Sequence, residues 1–311
     1  MRTTDWMRYQ GFIPTYQTLV SSQLKLQRQI ASGQKILVPS DDTAGAARSQ
    51  TYNHILTIIE QNLRNIDEGT NWSRISENAV ATTIDYVQRA QELAIQAGDI
   101  TVSDEGRQAI AQELEQIIQG IIGMAGQRHR GHAVFSGSRT DVEAFTAVLG
   151  GGGEVIAVNY QGNSENRTTE ISPGRTASYN LLGSNEGGGE FGIFRDTLRG
   201  VDVFSSLINL RDYVLANDRA SIATVSTPEL TDGLAHLTEG MARVGGVQSR
   251  MMAASSIDED LNEVTSAALS KTRDTDIAEA ATQFAQLEAA YKAALSTGAR
   301  IMSLSLVDYL R

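Results

Sequence analysis

The sequence predicts a mainly α-helical protein, in which long antiparallel helices form a rod and a small β-rich segment is inserted between them. Apolar residues recur at alternating steps of three and four along several long stretches, which is the periodicity of helices that bury one narrow stripe. Aromatic residues form only 6% of the 311 residues and there are 4 prolines, a composition that favours thin helical seams over one thick core. Glycine runs and turn dipeptides concentrate between residues 136 and 200, as is typical of short strands and loops.

The first predicted helix runs from Thr15 to Ser32. Its stripe consists of Tyr16, Leu19, Gln23, Leu26 and Ile30. The polar Gln23 is expected to help fix the register of helix pairing. Gly33 is expected to end the helix, because glycine readily adopts the left-handed conformation found there. The residue before Pro39 avoids the helical region, and the next helix can be capped by Ser40, Asp41 and Asp42.

Long inner helices are predicted on both sides of the β-rich segment. One runs from about residue 42 to 98, and another follows Ser103, a candidate N-cap. After the β-rich segment, helix returns at Val203–Leu215 and again from Thr227, which is predicted to be an N-cap followed by a proline at the first helical position. The stripe of this last inner helix consists of Leu230, Leu234, Leu237, Met241, Val244, Met251, Ala254, Leu261 and Val264.

Three short runs in the middle of the chain are predicted to be strands: Glu154–Tyr160, Arg167–Ile171 and Ala177–Leu182. The glycine runs at 150–153 and 187–189 lack the Gly-Lys-Ser/Thr sequence of a phosphate-binding loop. We therefore expect them to be loop tips.

The last predicted helix, from Asp274 to Leu310, has a heptad stripe like that of the first helix. Its residues are Ala280, Phe284, Leu287, Tyr291, Ala294, Gly298 and Ile301, and the chain then stays apolar through Leu304, Leu306 and Leu310. A helix with one narrow stripe gains most of its stability from packing that stripe against another helix. We expect the first and last helices to pair, and the apolar surface that this pairing leaves to be covered by neighbouring molecules.

Composition and motifs disfavour several classes of function. The net charge of −11 disfavours nucleic-acid binding, and no window of 18 apolar residues predicts membrane insertion. The chain has no cysteine and shows no catalytic, cofactor-binding or metal motif, so an enzyme is not expected. The N-terminus lacks the apolar core of a secretory signal, which predicts either a cytoplasmic protein or export by another route.

The chain has four histidines, which are candidate metal ligands. His129 and His132 could supply half of a metal site, but no further ligand lies at suitable spacing, so a solvated helix end is the favoured interpretation. His54 and His236 lie among polar helix positions and are predicted to be on the surface.

Two distant blocks of sequence form a recognisable pair of motifs. The N-terminal block is Arg28–Ile36 followed by Pro-Ser-Asp-Asp at 39–42, and the C-terminal block is Arg273–Ala280. Together they resemble the terminal regions of the flagellin superfamily. The Pro-Ser-Asp-Asp form and the ending Ser303–Leu310 are similar to the members that join hook and filament. Tyr160–Asn163 and Gly192–Phe194 fit the β domain of those members, whereas Thr43 replaces a proline that is common after the Asp pair.

The resemblance implies three domains. Residues 1–40 and 274–311 would form a terminal coiled coil, D0. Residues 41–135 and 201–273 would form a long-helix bundle, D1. Residues 136–200 would form an outer β-rich domain, D2.

The resemblance also implies a structural adaptor between hook and filament, located outside the cell and exported through the flagellar type III apparatus without a cleaved signal. The implied partners are hook-associated protein 1, flagellin, further copies in a ring of about eleven subunits per turn, and an export chaperone that binds the C-terminal region. Two alternatives remain open: a filament flagellin that forms the bulk polymer, and a cytoplasmic helical scaffold without catalysis.

Overall fold

The computed structural model describes residues 2–309 except Gly187 and Gly189, with side chains from residue 12 to residue 299. Contacts divide the chain into two units. One unit comprises Met1–Ile58 with Asp260–Arg311, and the other comprises Ile59–Glu259. The helices are α1 (Arg2–Ser32), α2 (Thr43–Ala97), α3 (Asp104–Ala125), α4 (Val203–Leu215), the short α5 (Arg219–Ser221), α6 (Thr227–Arg273) and α7 (Ile277–Tyr309). The predicted fold class is confirmed, because long helices flank a small strand-rich region.

In the first unit, α1 and α7 lie antiparallel and pack along each other. The hydroxyls of Tyr16 and Tyr291 are 3.1 Å apart, and Phe12 contacts the backbone at Gly298. At the other end of the pair, Lys35 N donates a hydrogen bond to the carbonyl of Arg273 at 2.8 Å. Because residue numbers rise along one helix as they fall along the other, these contacts establish the antiparallel register.

In the second unit, α3 packs against α4 and contributes a fully formed apolar face. The buried residues of that face are Ile110, Ala111, Leu114, Ile117, Ile118, Ile121 and Ala125. The Ser103 side chain accepts a hydrogen bond from Gly106 N, so the predicted N-cap of α3 is confirmed. Trp72 and Phe204 are buried in the same core, which continues into the strands.

The strands form four small sheets rather than one. They are β1 (Arg128–His129), β2 (His132–Ala133), β3 (Phe145–Leu149), β4 (Val155–Tyr160), β5 (Thr168–Ser172), β6 (Arg175–Ser178), β7 (Leu182–Ser184), β8 (Gly192–Asp196) and β9 (Val201–Asp202). Three antiparallel hairpins, β1–β2, β3–β4 and β5–β6, precede a three-stranded sheet in which β8 lies between β7 and β9. The run predicted as one strand at Ala177–Leu182 is wrong, because its ends belong to β6 and β7 with a break between them.

Thr227 is the first residue of α6 but is not an N-cap, contrary to the prediction, because its backbone is already helical and the preceding turn is helical too. The helix starts earlier, where the Asp218 side chain accepts from Ser221 N, and passes through one π-helical turn at Ile222–Ser226 into α6. Thr227 Oγ1 donates to the carbonyl of Ile222 at 2.9 Å, so this hydroxyl bonds back to the preceding turn. The wider π turn leaves room for Pro228, which has no backbone N–H to donate to that turn.

Two further predictions for α6 are wrong. Leu261 and Val264 were expected in its buried stripe but are exposed, whereas the stripe continues through Asp258, Thr265 and Leu269. Polar side chains therefore occupy buried positions of this helix, and hydrophobicity alone assigns the wrong face. His236 was predicted on the surface but is buried, with Nε2 donating to the carbonyl of Gly192 at 2.7 Å. His54 is exposed, as predicted.

Candidate assembly interface

The paired stripes of α1 and α7 form the centre of the candidate interface. On α1 the predicted residues are all half-buried: Tyr16, Leu19, Gln23, Leu26 and Ile30. On α7, Ala280 and Gly298 are buried, and four residues are half-buried: Phe284, Leu287, Tyr291 and Ala294. One helix therefore covers only part of the other helix's stripe. This partial cover is what a two-helix unit can provide, because each helix contacts only one neighbour along that stripe.

An aromatic cluster joins the two helices. The rings of Tyr16 and Tyr291 have centroids 5.6 Å apart, and Phe12 stacks on Tyr16 with a centroid distance of 6.1 Å. The hydrogen bond between the two phenols, together with burial, raises the pKa of Tyr16 above its usual range. Gly298 completes the cluster, since a Cβ at this position would lie 2.7 Å from Phe12 Cζ. Glycine here permits the close approach of the ring to the α7 backbone.

The turn after α1 is tied to the start of α7. Gly33 has a φ of 70°, the left-handed conformation predicted for it, and its carbonyl accepts from Thr275 N at 2.8 Å. Gln34 and Asp274 form an isolated antiparallel bridge. These contacts join residues about 240 positions apart in sequence. They hold the end of α1 beside the start of α7.

The two aspartates after Pro39 have different contacts. Asp41 Oδ1 pairs with Lys25 Nζ at 2.8 Å, and Oδ2 accepts from the backbone N–H groups of Leu37 and Val38. The hydrogen bond from Lys25, followed by those from the two amides, lowers the pKa of the Asp41 carboxyl. Asp42 Oδ1 instead accepts from Gly45 N at 2.9 Å at the start of α2. Pro39 and Ser40 are exposed between these contacts.

Several apolar residues that were not singled out in the sequence are exposed in this unit. They are Ile13, Leu24, Val38, Ile277 and Leu295. Ile13 and Leu24 are about three full turns apart, so they share one face of α1, roughly a third of a turn from the paired stripe. The sequence contains this signal, because the spacing of Ile13 and Leu24 places both on a second apolar line of α1 beside the heptad stripe. Leu24 is 52% exposed and Leu295 is 44% exposed.

Four predicted interface residues cannot be placed by their contacts. The side chains of Ile301, Leu304 and Leu306 lie outside those described, and Leu310 lies outside the described residues. The part played by the apolar C-terminal tail therefore stays a prediction.

Among the described residues no group of histidine, cysteine, aspartate or glutamate is arranged to hold a metal ion. His129 and His132 lie opposite each other on β1 and β2, not at a helix end as predicted. His129 Nε2 is 3.1 Å from Glu68 Oε1, and His132 Nδ1 is 3.0 Å from Thr140 Oγ1, so the two rings have separate partners. Within the same described part of the chain, none of the helices combines the length and apolarity needed to cross a membrane.

Two family models match this sequence. The bacterial flagellin N-terminal helical region matches residues 15–140, and the bacterial flagellin C-terminal helical region matches residues 229–310. These regions include the second half of α1, all of α2, α3 and α7, and nearly all of α6, and therefore the stripes of both helices of the candidate interface.

Individual relatives agree with these matches. Flagellar hook-associated protein 3 of Salmonella typhimurium is 24% identical over 57% of this chain and 53% of its own length. The flagellar filament 31.3 kDa core protein of Treponema maltophilum is 30% identical over 42% of this chain and 43% of its own length. The chain thus spans about half, or less, of the length of these relatives.

A solved structure shows the same fold. Flagellar hook-associated protein 3 from Legionella pneumophila superposes with a TM-score of 0.59 at 14% identity, covering 71% of this chain and 98% of that structure. The two family models together cover more than half of the sequence, including the paired terminal helices described above. The chain belongs to the bacterial flagellin family.

Proposed function

We propose that this protein is a structural subunit of the bacterial flagellum that joins the hook to the filament and has no catalytic role. The observation that carries this proposal is the α1–α7 pair, whose stripes are only half-buried and whose flanks expose Leu24 and Leu295. Similarity to flagellar hook-associated protein 3 supports the junction role over other roles in the family.

In the assembled flagellum, neighbouring subunits would cover the apolar surface that α1 and α7 leave exposed to water. Removing apolar surface from water contributes about 25 cal/mol per Å². Contacts with neighbouring copies would therefore stabilise α1 and α7 beyond what their own pairing achieves. Their heptad stripes suit such contacts, since knobs-into-holes packing can extend to a third and fourth helix. The predicted interface residues run from Tyr16 to Ile30 on α1 and from Phe284 to Ile301 on α7, with Leu304, Leu306 and Leu310 in the C-terminal tail. In this proposal they combine pairing within the subunit with contacts between subunits.

The proposed partners follow from this role. The subunit would contact hook-associated protein 1 on one side and flagellin on the other, with further copies of itself in a ring of about eleven subunits per turn. An export chaperone would bind the C-terminal region before assembly, and the protein would pass through the flagellar export apparatus to the outside of the cell. The three-domain division into D0, D1 and D2 is likewise part of this proposal.

A filament subunit is the second candidate. The match to a flagellar filament core protein of Treponema maltophilum favours it, at a higher identity than the match to the hook-associated protein of Salmonella typhimurium. The two functions predict different amounts and positions of the protein. A junction protein forms a short zone next to the hook, whereas a filament protein extends along the whole flagellum.

The test is a gene deletion combined with immunogold labelling of the intact protein in its native host. We expect deletion to leave hooks that lack filaments, while flagellin is released into the medium. We expect the gold label on wild-type flagella only at the boundary between hook and filament. Label along the filament would support the filament candidate. Normal filaments in the deletion strain would contradict both.

A further inference from the structure

A cavity of about 380 Å³ lies in the second unit, between α6 and the chain segments that flank β5, β6 and β8. Its walls include Ser178 at the end of β6, Asn180 between β6 and β7, and Arg243 and Arg250 from α6. A volume of this size falls within the range of small-molecule sites in proteins. The cavity is separate from the α1–α7 pair, since all of its lining residues belong to the second unit.

One wall presents a buried hydrogen-bond donor. Asn180 is only 6% exposed, and its Oδ1 accepts from Arg167 N at 2.8 Å. Its Nδ2 is buried and has no acceptor among the described residues. A buried N–H group without an acceptor is unfavourable, and an oxygen atom of a bound molecule would satisfy it. The amide is held in this orientation because Oδ1 is already used.

The lining of the cavity also includes a free cation. The guanidinium of Arg250 is exposed and has no hydrogen bond or ion pair within the described part of the chain. The neighbouring Arg243 is engaged, since it bonds to Glu239 at 2.7 Å and lies 4.4 Å above the ring of Phe191. The planar donors of an arginine match the geometry of a carboxylate. Arg250 is therefore available to an anion that enters the cavity.

The other lining residues are mostly apolar, and one of them is acidic. Leu182 and Phe191 are buried beneath the cavity, and Val247 is half-buried beside them. Glu190 also lines the cavity, so a second negative charge on the ligand would be repelled. These surfaces suit a molecule with one carboxylate and a short apolar group.

We propose that this cavity binds a monocarboxylate with an apolar group, whose oxygens accept hydrogen bonds from Asn180 Nδ2 and from the Arg250 guanidinium. Such a ligand satisfies the buried amide and neutralises the free cation at once. The apolar group contacts Leu182, Phe191 and Val247. The carboxylate can come from a free short-chain acid or from the C-terminus of a peptide. This function goes beyond the proposed structural role, which requires no ligand.

The test is an NMR titration of the full-length chain with two acids and their neutral amides. Hexanoate represents a free acid, N-acetylleucine represents a peptide C-terminus, and hexanamide and N-acetylleucinamide are the matched controls. We expect the acids to shift the Asn180 side-chain amide and the Arg250 Nε–H signals with saturation near about 1 mM. The tighter of the two acids identifies the source. If neither acid gives a saturating shift, or if the amides bind equally well, the proposal is wrong.

Variants with opposite expected effects sharpen this test. Arg250→Gln should weaken binding about tenfold by removing a charged hydrogen-bond donor. Glu190→Gln should strengthen binding, because it removes the repelling carboxylate. Asn180→Asp keeps the acceptor for Arg167 N but replaces the buried donor with an oxygen, and binding should be lost.

Arg48→Gln is the matched control, because Arg48 is exposed on α2 in the other unit and lies outside the cavity. Its binding should equal that of the wild type. Thermal unfolding checks that Asn180→Asp is still folded, and the Arg250 and Glu190 variants decide the outcome if it is not. Unchanged affinity in both of these surface variants would overturn the proposal.

Discussion

Arg211 shows how one buried side chain holds the second unit together. It is 4% exposed, and its guanidinium donates to Glu115 on α3 at 2.6 Å and to the carbonyl of Val155 on β4 at 2.7 Å. A third contact joins Arg211 to Asp212 at 2.7 Å. Since Glu115 also accepts from Val155 N at 3.0 Å, two helices and one strand meet at the Arg211–Glu115 ion pair.

Replacing this arginine should therefore be costly. We expect Arg211→Met to lower the free energy of unfolding by about 3–5 kcal/mol, because it leaves the Glu115 carboxylate without its cationic partner. Chemical denaturation at neutral pH measures the change. Arg89→Met is the control, since Arg89 pairs with Glu113 at 2.7 Å in an exposed position and its loss should cost little. Equal losses in the two variants would show that the buried pair contributes no more than a surface pair.

Asp41 permits a prediction about pH. Its folded pKa is lowered, chiefly by Lys25, so the contribution of its contacts to stability is present above the unfolded pKa of about 3.9 and is lost as the pH falls through the folded pKa. We expect Lys25→Met to raise the pKa of the Asp41 carboxyl toward its ordinary value, as measured by carboxyl ¹³C NMR. The turn should then lose amide protection at Leu37 and Val38 at a higher pH than in the wild type.

The control for this prediction is Lys292→Met, which removes a lysine that pairs with Glu288 on α7 at 2.7 Å. Lys292 has no contact with the turn among the described residues, so the pKa of Asp41 should not change in this variant. An unchanged pKa in Lys25→Met would mean that the two backbone N–H groups alone lower it.

At the scale of elements, local signals in the sequence predict helices well where apolar spacing and buried positions coincide. This holds for α3, whose buried face follows the periodic isoleucine and leucine residues. It fails in the last third of α6, where Asp258 and Thr265 are buried and Leu261 is exposed. Which face of a helix is covered depends on what lies opposite, and residues far away in the sequence determine that. The burial of His236 could not be predicted for the same reason, because its ring is covered by Phe191, with the ring centroids 4.3 Å apart.

Two glycines on α6 differ in how closely other side chains approach the helix. A Cβ at Gly245 would meet nothing within 4 Å, whereas a Cβ at Gly240 would overlap Ile193 and lie 3.4 Å from Phe191 Cε1. We expect Gly245→Ala to stabilise the protein by about 0.5–1 kcal/mol, because alanine loses less backbone entropy in a helix. Gly240→Ala should destabilise by about 1–3 kcal/mol through overpacking.

Thermal unfolding of the two glycine variants side by side measures both effects, and the helix is the same in each case. Ile193 is fully buried, which limits how far its side chain can move away from a methyl group at position 240. Stabilisation by both substitutions would show that the β8 segment yields easily. Destabilisation by both would mean that α6 is constrained on its exposed side as well.

For the whole molecule, the pairing of the chain termini could be predicted because both helices carry the same heptad spacing, and matched stripes favour each other over solvent. The residues of the candidate interface were harder to predict from the sequence. Heptad positions such as Leu26 and Leu287 are used within the pair, and the more exposed apolar side chains are at positions such as Leu24 and Leu295. A sequence shows that a stripe must be buried but does not show how much of it one partner covers. The cavity near Asn180 was likewise unpredictable, since it depends on three segments that meet only after folding.

This difference between pairing and exposed positions leads to a prediction for assembly. We expect the double variant Leu24→Gln and Leu295→Gln to fold normally, because both side chains are largely exposed and little buried area is lost. We expect it to fail in assembly, since glutamine at a subunit contact must lose its hydration without gaining a partner. Circular dichroism of the purified chain measures folding, and restoration of motility in a deletion strain measures assembly.

The matched comparison is Tyr16→Phe, which removes the 3.1 Å hydrogen bond to Tyr291 inside the pair and keeps the aromatic ring. This variant should lower the melting temperature of the α1–α7 pair, because it removes a hydrogen bond within it, while the exposed surface and motility stay intact. Folding and assembly then respond to different residues of the same two helices. If the leucine double variant restores full motility, Leu24 and Leu295 are not subunit contacts. If it unfolds the pair, these side chains belong to the interior of the subunit, and the surface that meets neighbouring copies lies elsewhere.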